Sequence, residues 1–359
     1  MCVNQKTYRV GAIGHSGAGN FGHQIHLAYR GLDNVQFVSV ADPNPDGREK
    51  AAQEAGATSS YADYNEMLIE EDLDIVSVCP RWGTERLDMV LACLNNGCHV
   101  YCEKPMTMTL ADGDQIVQTA KANNLKVAVA HQAVYLPRLH QLRQLIENGK
   151  IGEVEVVSAT GKQDHRGGGE DMIVLGTHLF NMMRFFVGDV NWMSSHVIED
   201  GDEIVASSGR EANEPVGKIA GDCIRSYFAF KSGVSGYFQS KKDRAQGEQT
   251  YGMNIVGTEG VISLLGGAAE NLSLYPYRYF NPTNQDQSWE IIQLESNQLM
   301  EGNRLAALDL IRAIENDNEP ISSAADAVAA LEMIHGAYVS QISESRVYFP
   351  VSDRLHPLN

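Results

Sequence analysis

Short apolar runs alternate with helical stretches through the first 130 residues, and that alternation restricts the fold more than any other feature of the chain. Tyr8 to Ile13, Val35 to Ala41, Leu73 to Cys79, His99 to Cys102 and Lys126 to Ala130 have the length of strands. Leu73 to Cys79 is apolar almost without interruption, as a parallel sheet covered on both faces requires. Asp46 to Ala55, Asn65 to Glu70, Glu85 to Asn96 and Leu110 to Asn123 read as the intervening helices, with Gly56 and Gly97 as stops. The pattern predicts an α/β domain built on a doubly wound sheet.

Such sheets bind ligands at the carboxyl ends of their strands, so the loops there carry the chemistry. The first strand runs into Gly14-His15-Ser16-Gly17-Ala18-Gly19-Asn20-Phe21-Gly22. The spacing Gly17-x-Gly19-x-x-Gly22 lets a backbone turn tightly and approach a pyrophosphate, and a helix is expected nearby with its N-terminal amides aimed at the same phosphates. Gly14, Gly17, Gly19, Asn20 and Phe21 are therefore cofactor-binding candidates. The second strand ends in Asp42, about 20 residues after Gly22. A carboxylate there accepts the adenine-ribose hydroxyls and repels a 2′-phosphate, which predicts NAD over NADP. Pro80, Arg81 and Trp82 follow the Leu73 strand, Glu103 and Lys104 the His99 strand, and His131 and Gln132 the Lys126 strand. All are candidates to face the cofactor or the substrate.

Beyond residue 130 the character changes. Arg138 to Asn148 reads as a helix stopped by Gly149, and Glu153 to Thr160 alternates as a half-exposed strand does. A polar, glycine-rich loop, Gly161 to Glu170, leads into a helix expected from Asp171 to Val187. Ile224 to Phe230, Ser235 to Gln239 and Asn254 to Val256 are β-like runs that fit a mostly antiparallel sheet with one open face. The polar segment Ser207 to Val216 reads as a mobile loop, and helices near Arg304 to Glu315 and Ala324 to Ser343 close the chain.

Composition excludes some partners. A formal charge of −18 argues against nucleic acid and against an anionic membrane surface, since both repel an acidic protein. No apolar run approaches the roughly 20 residues a spanning helix needs. Met1 to Arg9 lacks an apolar segment of signal-peptide length. The six cysteines form no Cys-x-x-Cys pair and read as buried thiols of a reducing compartment, so the expected location is the cytoplasm. His165, Asp171 and His178 match no metal-ligand spacing, and no metal site is expected.

The glycine loop, Asp42-Pro43, Glu103-Lys104-Pro105, Gly149-Lys150-Ile151-Gly152-Glu153 and Gly176-Thr177-His178 together resemble the Gfo/Idh/MocA oxidoreductase family over nearly the whole chain. The resemblance implies a Rossmann domain, here residues 1–130, and an α+β substrate-binding and oligomerisation domain, here residues 131–359, whose large open sheet often carries an oligomer interface. It implies a carbohydrate-like substrate and a homodimer or homotetramer. It also implies a lysine near the nicotinamide, which maps to Lys104, and a histidine on the first helix of the second domain, which maps to His178. This sequence departs from the family pattern in places. Val174 stands where an aspartate is common, four residues before His178, and Asn181 stands where a second one is usual. Arg81 replaces a usual asparagine, and Thr84 stands near the place of a frequent histidine. Asp171, two helical turns before His178 on the same side, is the candidate replacement for the missing acid.

Oxidising a secondary alcohol with NAD requires a base near neutral pKa for the hydroxyl proton. His178 has that chemistry unperturbed, and Lys104 either shares the proton or holds the developing alkoxide. His165, Arg166 and Asp171 flank three glycines able to let a backbone close over a ligand, so they join Lys104 and His178 as substrate candidates. The expected activity is hydride transfer to or from a secondary hydroxyl of a sugar, cyclitol or glycoside. Two other readings fit the same residues. One is a redox-neutral NAD-dependent glycosidase that oxidises, eliminates, hydrates and reduces; the other is a non-catalytic NAD-binding regulator.

Overall fold

The computed structural model describes residues 6–245, 247–265, 271–279, 283, 286–294, 298 and 300–358; Cys2 lies outside them. Strands β1 (Tyr8–Ile13), β2 (Val35–Ala41), β3 (Ser59–Tyr61), β4 (Ile75–Val78), β5 (His99–Cys102) and β6 (Val127–Val129) form one sheet in the order β3-β2-β1-β4-β5-β6. Each neighbouring pair is parallel. Order and direction are those of a doubly wound dinucleotide fold, in which the strand sequence reverses beside β1. β4 and β6 are buried at every residue, which the apolar runs predicted.

Helices α1 (Pro45–Ala55), α2 (Tyr64–Glu70), α3 (Arg86–Asn95) and α4 (Leu110–Ala122) connect the strands. Their ends follow local chemistry. The Asn44 side chain accepts from the Gly47 amide with Pro45 just inside, and Gly56 closes α1 in the left-handed region at φ 72°. Thr109 caps α4 by accepting from the Asp112 amide.

The helix expected after the glycine loop does not form. The chain makes successive tight turns and a single 3-10 turn at Ile25–Leu27. Asn20, Gly22 and Gln24 hold φ of 53°, 58° and 59°, and left-handed residues at that spacing interrupt an α-helix.

The division by packing is not the single cut at residue 130. One unit takes the chain to Tyr135, then Glu214–Gly217 and Met300–Val328; the other takes Leu136–Asn213, Lys218–Leu299 and Ala329–Asn359. The return of Met300–Val328 to the first unit has a polar cause. Tyr101 donates to Asn303 Oδ1 at 3.0 Å, Asn303 Nδ2 donates to the His23 carbonyl at 3.0 Å, and the Val129 amide donates to the Ser322 carbonyl at 2.8 Å.

The second unit is a large mixed sheet with helices on one face. α5 (Pro137–Glu147) leads to β7 (Val154–Thr160), then α6 (Gly169–Val174) and α7 (Gly176–Val187). The remaining elements are β8 (Val190–Glu199), β9 (Asp202–Glu203), β10 (Arg210–Glu211), β11 (Lys218–Ile219), β12 (Cys223–Phe230), β13 (Ser235–Lys241), β14 (Gly252–Gly257), β15 (Val261–Leu265), β16 (Asn271–Tyr275), β17 (Glu290–Ile291), α8 (Glu301–Asn316), α9 (Ala324–Ser343) and β18 (Val347–Tyr348). α8 belongs to the first unit, and α9 is divided between the two.

The sheet order is β17-β16-β15-β14-β7-β13-β12-β8-β18, with β9 beside β8. Within this sheet, among the described strands, only β13 and β7 pair in parallel; the rest is antiparallel, as the alternating runs predicted. Along β13 every second residue is buried, and Phe180 of α7 packs on Phe228 and Phe238 with ring centroids at 5.7 and 4.8 Å. The segment read as a mobile loop instead contains β10, which pairs with β11.

The single helix expected from Asp171 to Val187 is two helices broken at Leu175, whose φ and ψ are −114° and −36°. α6 is fixed to β13 through Asp171 and Ser240, whereas α7 is fixed by Phe180 among the sheet phenylalanines. The two segments have different anchors, and Gly176 offers little resistance to a break between them.

Candidate functional site

In the first unit the glycine loop is shaped by close approach as well as by φ. A Cβ on Gly19 would lie 2.5 Å from the Arg81 and Trp82 amide nitrogens, and one on Gly22 would meet the Cys79 carbonyl at 2.4 Å. These two positions therefore let the loop lie directly on the segment after β4. Gly17, at φ 95°, has open space around it and answers to conformation alone. The Asn20 side chain accepts from the Gly17 amide at 3.0 Å and ties the turn together. Phe21 is buried with its ring over Gly14 and near His26, so its side chain serves packing.

Asp42 ends β2 fully buried. Its carboxylate accepts the Ser16 amide at 3.0 and 3.1 Å, the Ser16 hydroxyl at 2.7 Å and the Asn44 amide at 2.9 Å. The expected ribose acceptor thus already clamps the glycine loop to the end of β2. Beside it lies a cavity of about 320 Å³ whose walls include Gly14, His15, Asp42, Asp63, Glu85 and Asp88. Four carboxylates around one cavity repel a phosphate, which favours NAD over NADP. Cavity, glycine cradle and acidic wall fit the adenosine half of NAD.

The Glu103-Lys104-Pro105 stretch leaves β5 into a dense polar cluster. Glu103 is fully buried. Its Oε1 accepts the Lys104 amide at 3.0 Å, and its Oε2 accepts the His23 amide at 3.0 Å and lies 3.0 Å from His23 Nδ1. Burial alone raises a carboxyl pKa, but here the His23 hydrogen bonds and the nearby Lys104 charge outweigh it and bring Glu103 down to about 2. Lys104 is 6% exposed. Burial lowers its ammonium, Glu103 opposes the fall, and Arg81 adds to it, leaving a pKa of about 8. A lysine this close to neutrality exchanges its proton readily.

Arg81 pairs with Glu214 at 2.6 Å, and the Gly83 amide donates to the Pro215 carbonyl at 2.8 Å, so residues 214–217 brace the loop after β4. Trp82 in that loop is half-buried. Sequence reasoning missed two residues here. Arg86, fully buried, donates to the carbonyls of Pro80 and Pro105 and holds both loops in place. His23 supplies the donors that keep Glu103 ionised. Gln132 is buried in the 3-10 turn Gln132–Tyr135, and neighbouring His131 lies 2.9 Å from the Ser322 hydroxyl.

In the second unit the sequence candidates separate. Asp171 is fully buried; it accepts the Ser240 hydroxyl at 2.5 Å and the Gln163 amide at 3.1 Å, and burial raises its pKa. It anchors the 161–163 loop to β13. The break at Leu175 puts Asp171 and His178 on different helices, so the expected shared helical face is lost. His178 opens α7 half-buried, and Val174 is buried. Arg166 is committed to Asp164 at 2.8 Å, and the His165 side chain is 74% exposed.

The three glycines before α6 have a structural reason that differs from the expected closing loop. A Cβ on Gly167 would lie 2.3 Å from the Lys242 amide nitrogen, and one on Gly169 would lie 2.4 Å from the Ala220 carbonyl. The loop packs backbone to backbone on its neighbours. Among the described residues no group of three or more His, Cys, Asp or Glu side chains is arranged to hold a metal ion.

Residues 9–131 match the family model described as "Oxidoreductase family, NAD-binding Rossmann fold", and residues 143–349 match "Oxidoreductase family, C-terminal alpha/beta domain". The chain is 26% identical to a myo-inositol 2-dehydrogenase of Thermotoga maritima over 263 residues, 71% of this chain and 74% of that one. It is 22% identical to a levoglucosan dehydrogenase of Pseudarthrobacter phenanthrenivorans over 283 residues, 70% and 72% of the two. Among solved structures it superposes on a levoglucosan dehydrogenase in complex with NADH and levoglucosan with a TM-score of 0.79 at 20% identity, covering 96% of this chain and all of that one. An NAD-binding oxidoreductase from Klebsiella pneumoniae gives 0.76 at 20% identity, over 97% of this chain and all of the other.

Proposed function

Because the chain belongs to the Gfo/Idh/MocA family of NAD-binding oxidoreductases, we propose that it moves a hydride between NAD and a secondary hydroxyl of a sugar, cyclitol or glycoside. The relatives named as inositol, glucoside and levoglucosan dehydrogenases support that substrate class. The observation that carries the reading is Lys104, buried at the carboxyl end of β5 with a pKa of about 8.

Bound NAD supplies the hydride acceptor. Asp42 and the glycine loop bind and orient its adenosine half, with the acidic wall selecting NAD. Lys104 handles the proton. In its neutral form it accepts the hydroxyl proton as the C–H hydride leaves; as the ammonium it returns that proton in the reductive direction and stabilises developing negative charge on oxygen. Glu103 remains ionised well below neutral pH and keeps the lysine from falling further. His178, with an imidazole suited to proton transfer near neutral pH, is the second unit's candidate for the same work. Asp171 holds the 161–163 loop and stands outside the proton chemistry.

A screen with NAD against free sugars, cyclitols and aryl glycosides tests this, following NADH and released aglycone together. NADH accumulation that vanishes in Lys104→Ala supports the dehydrogenase. Aglycone release without NADH moves the assignment to redox-neutral glycoside cleavage, a reading that buried Val174 in the usual aspartate position leaves open. NAD binding without either signal favours a regulator.

Assembly and location belong to the same proposal. The open face of the second sheet carries Trp192, Tyr227 and Tyr237 in ring contact at 5.2 and 5.3 Å, with Tyr237 46% exposed. Such a face suits a homodimer or homotetramer, which light scattering reads directly. The free, buried Cys79, Cys93, Cys98, Cys102 and Cys223 suit the reducing cytoplasm. No helix among the described residues is long and apolar enough to cross a membrane.

A further inference from the structure

Glu103 holds a charge next to Lys104, and the residue that holds Glu103 comes from the glycine loop. His23 follows Gly22, the last glycine of that loop. A Cβ on Gly22 would lie 2.5 Å from Glu103 Oε2, so the loop rests on the carboxylate itself. The His23 amide and its ring Nδ1 both meet that same oxygen at 3.0 Å. An ionised carboxylate only accepts, so Nδ1 carries the proton and donates. His23 is also held from behind. Its carbonyl accepts from Asn303 Nδ2 at 3.0 Å, and Asn303 Oδ1 accepts from the buried Tyr101 hydroxyl at 3.0 Å. Amide, ring and carbonyl are thus all committed, although the His23 side chain is 36% exposed. A side chain so exposed adds little by burial, and its hydrogen bond is what the site gains from it. All these residues belong to the first unit.

Two roles fit a histidine bonded to the acid beside a proton-handling lysine. One is a relay that passes the proton to solvent. For that Glu103 must take up a proton, and a carboxyl held at about 2 beside an amine at about 8 is a poor carrier. The other role is control of charge. Burial opposes the Glu103 charge, and the His23 ring comes first among the groups that restore it. Beyond burial, the charges that act on Lys104 are Glu103, Arg81, Glu214 and Arg86. Of these, Glu103 is the one to which His23 bonds. A donor on a carboxylate offsets part of its charge and so weakens its pull on a neighbouring ammonium.

We propose that His23 is a positioning residue of the proton site: it acts through Glu103 and fixes the proton affinity of Lys104. Its ring takes up part of the glutamate charge, so the ammonium is stabilised less and the lysine stays near neutrality. The glycine loop then serves two ends, cradling the cofactor and tuning the lysine. The catalytic meaning of this role rests on the reading of Lys104 given above; the effect on Lys104 itself does not.

The test reads Lys104 first directly and then through turnover. NMR of the whole protein carrying isotope-labelled lysine follows the Lys104 titration, with its signal assigned by the loss in Lys104→Ala. His23→Ala is expected to move that titration upward by roughly half a pH unit, a fraction of what a directly neighbouring charge produces. The alkaline rise of kcat moves with it, and kcat at neutral pH falls about threefold as the neutral amine becomes scarcer. This direction is opposite to the one expected of Glu103→Gln. His23→Asn places an amide nitrogen at the depth of Nδ1 and is expected to restore most of the original titration. His23→Gln places it one bond further out, at the depth of Nε2, and is expected not to. A Lys104 titration that stays in place or moves downward in His23→Ala overturns the proposal. So does a His23→Asn protein that binds NADH normally yet titrates like His23→Ala. Weaker NADH binding with an unmoved Lys104 also overturns it, and leaves His23 only the task of fastening the loop. Because the NMR titration needs no substrate, the two readings fail separately. A shifted Lys104 in a protein that oxidises no sugar keeps the role of His23 and loses the dehydrogenase; sugar oxidation with a titration indifferent to His23 does the reverse.

Discussion

Glu103 and Asp171 are both fully buried carboxylates, yet burial leaves them in opposite states. Glu103 falls to about 2, because two donors from His23, the Lys104 amide and the lysine charge together outweigh desolvation. Asp171 rises, because the Ser240 hydroxyl and loop amides offset burial only in part. Burial therefore does not decide what an acid does; the charge and number of its donors do. In the first unit the acid serves the electrostatics of a lysine. In the second it fastens a loop.

The largest expected effect tests what Glu103 is there for. Lys104→Ala should lower kcat about 10²- to 10⁴-fold, the usual loss when a positioned acid or base is removed, while NAD still binds in a fluorescence titration. Activity that survives would leave Glu103 with no lysine to serve. Glu103→Gln should act in two ways. Calorimetry at neutral pH should show a loss of about 3 kcal/mol, the linkage value of a carboxylate held near 2 against an ordinary 4.5. The pH profile of oxidation should also move. With the glutamate charge gone, burial, Arg81 and Arg86 act on Lys104 with less opposition, so the alkaline rise near pH 8 shifts to lower pH. A profile that stays in place would show that the acid is merely structural, like Asp171.

Much of this difference was invisible along the chain. Five of the six strands of the first unit and the position of Lys104 were legible because apolar periodicity and a stop at Pro105 are local signals; β3, the short and mostly polar Ser59–Tyr61, was not. The partners that define Lys104 were not. His23 reaches Glu103 across 80 positions, and Arg86 reaches Pro105 across 19; neither carries a local mark. Nor was the reason for the glycines at 167 and 169, which is the backbone of Lys242 and of Ala220. Apolar periodicity also runs unbroken through Leu175, so a single helix was expected where tertiary anchors make two. The missing helix after Gly22 turns on Gln24 at positive φ, a conformation a glutamine does not announce.

A smaller effect separates the two acids by the slope of stability against pH. Glu103, depressed in the folded state, adds stability above about pH 4.5 that is lost as pH falls toward 2. Asp171, raised in the folded state, has the opposite sign: the fold keeps its proton longer than the unfolded chain, so stability falls as pH rises through the ordinary carboxylate range toward its raised value. Melting temperatures from pH 2 to 6 should therefore flatten on the acid side in Glu103→Gln. In Asp171→Asn they should lose a decline instead, at a neutral-pH change of roughly 1 kcal/mol set by the altered hydrogen bonds to Ser240 and Gln163. Slopes of the same sign in the two variants would end the distinction.

Asp42 is the case between them, and it yields the smallest expected change. It is as buried as the other two, but two of its three donor groups belong to one residue, Ser16. Ribose hydroxyls reaching that carboxylate must share it with the Ser16 hydroxyl. Ser16→Ala keeps the backbone amide and frees one oxygen, so NAD should bind roughly threefold more tightly, about half to one hydrogen bond's net value, with the preference over NADP intact because the acidic wall is unchanged. Weaker NAD binding in a fluorescence titration would instead place the Ser16 hydroxyl in the cradle itself. Asp42 would then belong with Glu103, as an acid held ready by its neighbours, and not with Asp171, as an acid consumed by them.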